Sequence, residues 1–260
     1  MMNIIKNPLV LTLGVFTIGI LTFFATSPKC HAVDKYKSMT DLQQHTTEGK
    51  DWQIHTSDEK NKTVVMAPHG GGIEPGTSEV AREIADKSKS GYYSFSAIRP
   101  VNNQHLHVTS ANYNEPKAEQ MVGQSDRTVS IHKTAREGRD AYIGGRDQAL
   151  RNSISQSLTK EGFNVGEATG NIAGQNPRNI VNRNRNGAGV QIEVSNKAVR
   201  SFYKDGNVSR PARENTNNYT SRMHAFTTGV SNGLQQQSQQ SQPHPHNNNN
   251  SADSPATLEI

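Results

Sequence analysis

The chain has 260 residues, enough for one domain of ordinary size with tails. Hydrophobic residues make up 32% and aromatic residues 6%, too few for uniform packing from end to end, and a single Cys excludes a disulfide-stapled fold or a multi-cysteine zinc ribbon. The formal charge of +5 is too small to indicate nucleic-acid binding without a localised basic patch.

Residues 1–32 hold much of the apolar content. Lys6 precedes an almost unbroken apolar run over 9–25, and Cys30-His31-Ala32 places small residues at −3 and −1 of a cleavage site. This is the layout of a secretory signal peptide. An uncleaved anchor is the rival reading, and the lack of a basic cluster after the run argues against it. Lys29 directly before Cys30 does not suit lipidation of that cysteine. Cleavage after Ala32 removes the only Cys together with Lys6 and Lys29, lowering the formal charge from +5 to +3. The expected product is a secreted, thiol-free protein with no membrane segment.

Residues 33–44 read as a polar lead-in, with a short strand following near Trp52 to Ile54. The folded domain is placed at 45–232. Residues 63–67 (TVVMA) are a buried-strand pattern ending at Pro68. Pro75-Gly76 makes a turn, and Thr77 is positioned to cap a helix with Val80, Ala81, Ile84 and Ala85 on one face. Strands are predicted at 92–98 and 105–109, and Pro116 opens a helix toward Val122. Another strand covers 128–132, then a helix covers 147–160 with Leu150, Ile154 and Leu158 spaced i, i+4, i+8. Strands at 163–165 and 189–194 and a helix over 219–230 complete the domain. Residues 233–260, rich in Gln, Asn and Ser, read as a low-complexity disordered tail, with His244 and His246 read as solvated side chains and loose metal binding as the alternative. Interleaved strands and helices predict a single α/β domain with a mixed, largely parallel sheet flanked by helices.

In such sheets, sites collect beyond the carboxyl ends of the strands. The strand at 63–67 leads into His69-Gly-Gly-Gly-Ile-Glu74, where three glycines let the backbone turn so that an imidazole and a carboxylate point at one spot. The strand at 128–132 ends in His132, and the strand at 189–194 carries Glu193. His69, Glu74 and His132 form a His₂Glu set that suits one Zn²⁺ with a fourth position open to water. Glu193 is then free to take the proton from the attacking water and deliver it to the leaving amine. Two other readings stand beside this one. The glycine run suits a phosphate loop, although the Gly-Lys-Ser/Thr of the Walker pattern is absent, and His105 with His107, two apart on a strand, offer another ligand pair. Arg99, Arg136, Arg139, Arg146, Arg178, Arg183 and Arg185 cluster around the same segments, and guanidinium forks suit a carboxylate-bearing or polyanionic substrate.

From about residue 50 to 205 the chain resembles the poly-γ-glutamate hydrolases of bacteriophages and bacterial genomes. Several blocks carry the resemblance in order: 67–77 (APHGGGIEPGT), 106–110 (LHVTS) with Glu115-Pro116, and 130–132 (SIH). They continue with 143–147 (IGGRD), 176–183 (NPRNIVNR) and 189–194 (GVQIEV). The resemblance implies a zinc-carboxypeptidase-like fold, zinc held by His69, Glu74 and His132, and Glu193 as general base. The implied reaction is hydrolysis of γ-glutamyl amide bonds in poly-γ-glutamate, whose carboxylates the arginines would meet; Arg139, Arg146, Arg183 and Arg185 are the substrate-binding candidates. Two departures stand near the site: Lys133-Thr134 replaces an expected Gly-Cys pair, and Tyr113-Asn114 replaces an aromatic–acid pair. The Lys133 side chain beside the ligands is expected to affect substrate preference. A zinc amidase of γ-glutamyl links in cell-wall peptide, and an inactive binder of acidic polymers, are the alternatives; retention of all four site residues argues against the binder. The expected protein is a monomer that binds no nucleic acid.

Overall fold

The computed structural model describes residues 34–58 and 61–240. The expected signal peptide and the last twenty residues of the tail lie outside the described residues. The regular elements are α1 (Met39–Gln44), β1 (Trp52–Ser57), β2 (Thr63–Gly71), α2 (Thr77–Ser88), β3 (Gly91–Ala97), α3 (Pro116–Gln124) and β4 (Arg127–Thr134). They continue as β5 (Ala141–Gly145), α4 (Gln148–Lys160), β6 (Val165–Glu167), β7 (Val190–Ser195), α5 (Asn196–Ser201), α6 (Arg210–Arg213) and α7 (Ser221–Gln240).

The strands form one sheet in the order β1-β3-β2-β4-β7-β5-β6. β3, β2, β4 and β7 run parallel, while β1 is antiparallel to β3. β5 is antiparallel to β7 and parallel to β6. The result is the single α/β domain with a mixed, largely parallel sheet that the sequence predicts. Alternation along the strands separates two layers. Val65, Ala67, Val129, Ile131, Ile192 and Val194 face a core built with α2, α4, α5 and α7. Val64, Met66, Tyr93 and Phe95 face the other way, against Met39, Leu42, Leu106, Val108, Ala118 and Ile180. His132 and Glu193, one residue off the first set, share the second face.

Local chemistry fixes the helix starts. Pro116 occupies the first turn of α3, and the Glu115 carboxylate accepts from the Lys117 and Ala118 N–H groups. Asp147 caps α4 by accepting from the Leu150 N–H, and Leu150, Ile154 and Leu158 are all buried as their spacing predicts. Thr77, expected as a cap, is instead the first residue of α2: its hydroxyl donates to the Glu74 carbonyl at 2.9 Å and ties the helix to the turn before it.

Several elements differ from expectation. The described part of the lead-in, 34–44, is packed rather than loose: Ser38 caps α1, and Tyr36, Met39 and Leu42 are buried, because three large side chains outweigh the polar composition around them. Residues 105–109 are not a strand. Leu106 and Val108 point inward, which gives the alternation its strand-like look, but the chain forms a 3₁₀ turn over Asn103–Leu106 and crosses above the sheet without pairing. β5 escaped the sequence reading because its two glycines dilute an already short apolar run. α7 continues ten residues past Val230, to Gln240. Gly233 in its middle lies so close to α4 that a Cβ there would sit 2.7 Å from Ile154 Cα. The glycine therefore marks helix packing rather than a helix end.

Candidate metal centre

Three loop and strand ends deliver the site. β2 runs in register with β3 up to Ala67 and resumes at Gly70, and the irregularity between them carries His69. The next turn folds back at once: the Glu74 N–H donates to the His69 carbonyl at 2.9 Å. Gly71 makes this possible, with φ of 63° and a position where a Cβ would lie 2.3 Å from the Ala97 carbonyl oxygen. β4 brings His132 alongside, in direct register with Glu193 on β7.

His69 Nε2 lies 2.9 Å from the Val108 carbonyl oxygen. A carbonyl only accepts, so Nε2 carries the hydrogen, and Nδ1 is the nitrogen that faces Glu74 Oε1, at 3.2 Å. His132 Nδ1 lies 3.5 Å from the other carboxylate oxygen, Oε2, which also accepts from the Lys133 backbone N–H at 2.9 Å. One donor atom from each of His69, Glu74 and His132 falls within 4.8 Å of the others. Donors gathered this closely need positive charge among them, supplied by a shared proton or by a metal cation. The buried His132 Nε2 has no hydrogen-bond partner among the described residues. Two imidazoles and a carboxylate, one imidazole braced by a backbone carbonyl, fit Zn²⁺ in both donor type and outer support.

The electrostatics of the metal-free set are those of a cation site. Burial acts to raise the Glu74 carboxyl, yet the flanking imidazoles hold it far below the ordinary carboxylate range. Burial acts to lower His132, and the Glu74 and Glu193 carboxylates overcome it and raise the imidazole above its usual value. Glu193 behaves oppositely. Burial pushes its carboxyl up to about 7, against the pull of His132, with Glu74 adding to the rise. A carboxyl poised near neutrality beside a cation site has the proton affinity a general base needs.

Glu193 is also aimed. Gln191, two residues back on the same face of β7, donates from Nε2 to Glu193 Oε1 at 2.9 Å. Asn179 Nδ2 donates to Gln191 Oε1 at 2.8 Å, and Asn179 Oδ1 accepts from the Val181 N–H. Sequence reasoning assigned nothing to Gln191 or Asn179. The period of two along β7 points to Gln191, whereas Asn179 arrives from a 3₁₀ turn (Ile180–Asn182) that no local pattern links to the strand.

The arginine expectations need correction. β5 runs against β7, so Arg146, just after β5, lies at the sheet end opposite the metal centre, where Gly145 pairs with Val190. Arg185 lies at that same far end, its N–H bonded to the Ser125 carbonyl and its side chain 3.4 Å from Asp126, ahead of β4. Arg183 is committed to structure through Glu119 at 2.7 Å and the Tyr113 carbonyl. Arg139 does lie at the site end, but it is exposed and reaches Asn164 over Gly166 on β6. Arg136 is the arginine that acts on the Glu193 charge. It is held by two bonds to Thr169 at 3.2 Å and lies over the Tyr142 ring at 5.3 Å. Lys133, one residue off the His132 register, sends its side chain to the opposite face, and only its backbone N–H serves the site. Of the pair His105 and His107, the first is exposed; the second packs against His69 with ring centroids 4.1 Å apart but is not among the converging donors.

The model of the poly-gamma-glutamate hydrolase family matches residues 36–228. The chain is 32% identical to UPF0714 protein YndL of Bacillus subtilis (strain 168) over 213 residues, 80% of this chain and 81% of YndL. It is 36% identical over 174 residues to the SPbeta prophage-derived UPF0714 protein YoqZ of the same organism, a match spanning 66% of this chain but only 62% of YoqZ. Its fold is similar to that of a bacteriophage poly-gamma-glutamate hydrolase, with a TM-score of 0.76 and 28% identity over 80% of this chain and 100% of that one. A YndL structure described as apo and zinc-free gives a TM-score of 0.72 at 30% identity, covering 79% of this chain and 99% of that one.

Proposed function

Because the chain belongs to the poly-γ-glutamate hydrolase family, we propose that it is a secreted zinc hydrolase that cleaves γ-glutamyl amide bonds of poly-γ-glutamate. The observation that carries the reading is the convergence of His69, Glu74 and His132 with a general base, Glu193, in register beside them. Export with cleavage after Ala32 rests on the sequence of the first 32 residues.

In this reading His69, Glu74 and His132 hold the ion. Bound zinc supplies Lewis acidity that polarises the scissile carbonyl and acidifies water. Glu193, ionised and aimed by Gln191, takes a proton from the attacking water as its oxygen bonds to the carbonyl carbon. The same carboxyl then gives that proton to the departing nitrogen as the C–N bond breaks, leaving a carboxylic acid and an amine, which pass one further proton between them to become carboxylate and ammonium. The Lys133 N–H keeps Glu74 oriented through both steps.

In the same reading Arg136, whose charge acts on Glu193, is the arginine assigned to a substrate carboxylate, with Arg139 as the second candidate at that end of the sheet. Arg136→Ala is expected to raise KM by about tenfold, the worth of one charge-assisted hydrogen bond, with a smaller effect on kcat. Arg146→Ala, at the far end of the sheet, is expected to leave both unchanged. Steady-state kinetics on the two variants decide this, and equal effects would remove Arg136 from the substrate site.

The function itself is tested on protein recovered from culture medium, expected to begin at Val33. Incubated with poly-γ-glutamate, it should shorten the polymer and release new amines, and chelation should stop it until zinc is restored. Cleavage of peptidoglycan with the polymer left intact would replace this substrate by cell-wall peptide. Intact polymer in the presence of zinc-loaded protein would overturn the reading.

A further inference from the structure

We propose that Asp34 is a positioning residue for the metal centre, fixing the 107–109 segment whose backbone holds His69. The inference rests on the reading of His69 as a zinc ligand. Asp34 Oδ1 lies 2.7 Å from His107 Nδ1, and Oδ2 accepts the Thr109 N–H at 2.6 Å. Between these two anchors sits Val108, whose carbonyl accepts the His69 Nε2–H at 2.9 Å. One carboxylate thus grips the residue on each side of the group that orients the first ligand. The His107 ring, held by the same carboxylate, lies against His69 with centroids 4.1 Å apart and planes tilted by 41°.

The clamp has something to do. Residues 107–109 belong to no strand or helix, so no ladder of backbone bonds fixes the direction of the Val108 carbonyl. A ligand held through a single carbonyl is only as well oriented as the segment carrying that carbonyl, and ring orientation sets which nitrogen faces the metal. The N-terminal segment that delivers Asp34 is itself secured. Tyr36, Met39 and Leu42 are buried in the same cluster as Leu106 and Val108. Asn114 accepts the Thr40 N–H at 3.1 Å and donates to the Thr40 hydroxyl at 2.8 Å, a pairing that needs both halves of an amide. Asp34 stands just ahead of the stretch matched by the family model, so nothing in that match calls for a carboxylate here. A segment that reads as a polar lead-in therefore contributes to the order of the site.

The test compares wild-type protein recovered from the culture medium with Asp34→Ala and Asp34→Asn prepared in the same way. Side-chain ¹⁵N NMR of the metal-free protein reads the tautomers of His69 and His107, chelator competition reads zinc affinity, and thermal unfolding reads the general cost. In wild type the Nδ1–H form of His107 and the Nε2–H form of His69 are expected. Asp34→Ala should lose the fixed tautomer at His107, broaden the His69 signals and weaken zinc binding about tenfold, the lower end for an outer-shell partner. Asp34→Asn keeps one acceptor oxygen and should fall between; it also carries the comparison if the Ala variant does not fold. Loss of thermal stability with both histidine signals and zinc affinity as in wild type would reduce Asp34 to a tether and overturn the proposal. Wild-type protein that took up no zinc would sink the metal reading itself, a failure visible before any variant is compared.

Discussion

Glu193→Gln is expected to cut turnover by about 10²–10⁴-fold, the usual worth of a positioned general base, while making the metal-free protein more stable at pH 8. The two effects have one cause. Burial holds the Glu193 carboxyl at about 7, well above the ordinary carboxylate value of 4.5. The folded chain therefore keeps this proton where the unfolded chain releases it, so the favourable contribution is complete below about 4.5 and is lost as pH rises through about 7. The difference corresponds to about 3 kcal/mol. Glutamine has the same shape, can still accept from Gln191 Nε2, and never ionises, so it escapes that loss. Denaturant unfolding of the chelated proteins should show the variant ahead of wild type at pH 8 and level with it near pH 4.5. Zinc content should be unchanged, because Glu193 is assigned no bond to the ion. Undiminished turnover would remove Glu193 as the base, and lost zinc would make it a ligand.

His132→Ala is expected to weaken zinc binding by more than about 100-fold, since loss of a mere outer-shell partner already costs 10–100-fold. Activity should fall with it. The change removes one of the three converging donors and leaves Glu74 with a single imidazole. Metal analysis of the purified variant and chelator competition provide the measurement. Unchanged zinc content would place the ligands elsewhere and would undo the account of Glu74 as well, because its depressed proton affinity depends on both rings.

The candidate metal set is openly legible in the sequence. His69 and Glu74 are locked to one spot by a glycine run, and His132 and Glu193 sit at the ends of short β-branched runs, so strand order alone brings them together. What supports them is far less legible. The Val108 carbonyl, Asn179 and Asp34 reach the site by tertiary placement: Val108 lies in a stretch that reads as a strand and pairs with none, Asn179 in a loop, and Asp34 in the lead-in. The arginines show the limit of reading charge by proximity in sequence. Arg139 and Arg146 flank the five residues of β5, and because that strand runs against its neighbour, they finish at opposite ends of the sheet. A reading that misses β5 cannot separate them. The alternation of Leu106 and Val108 misleads in a similar way, since two inward-pointing apolar residues satisfy a crossing segment as well as a strand.

The pairing of β4 with β7 also bears on how the protein comes to be active. These strands lie far apart in the chain, with β5, α4 and β6 between them, and parallel pairing of such distant segments carries a large loop-closure cost before any contact repays it. His132 meets Glu193, and both meet the β2 turn, only once the central strands have docked. A chain crossing a membrane unfolded would therefore emerge with its ligands dispersed and harmless. In the proposed reading, zinc selects the finished fold and deepens its stability in proportion to the free ion around it, so the metal content of the medium would set how long the enzyme survives there as well as whether it works.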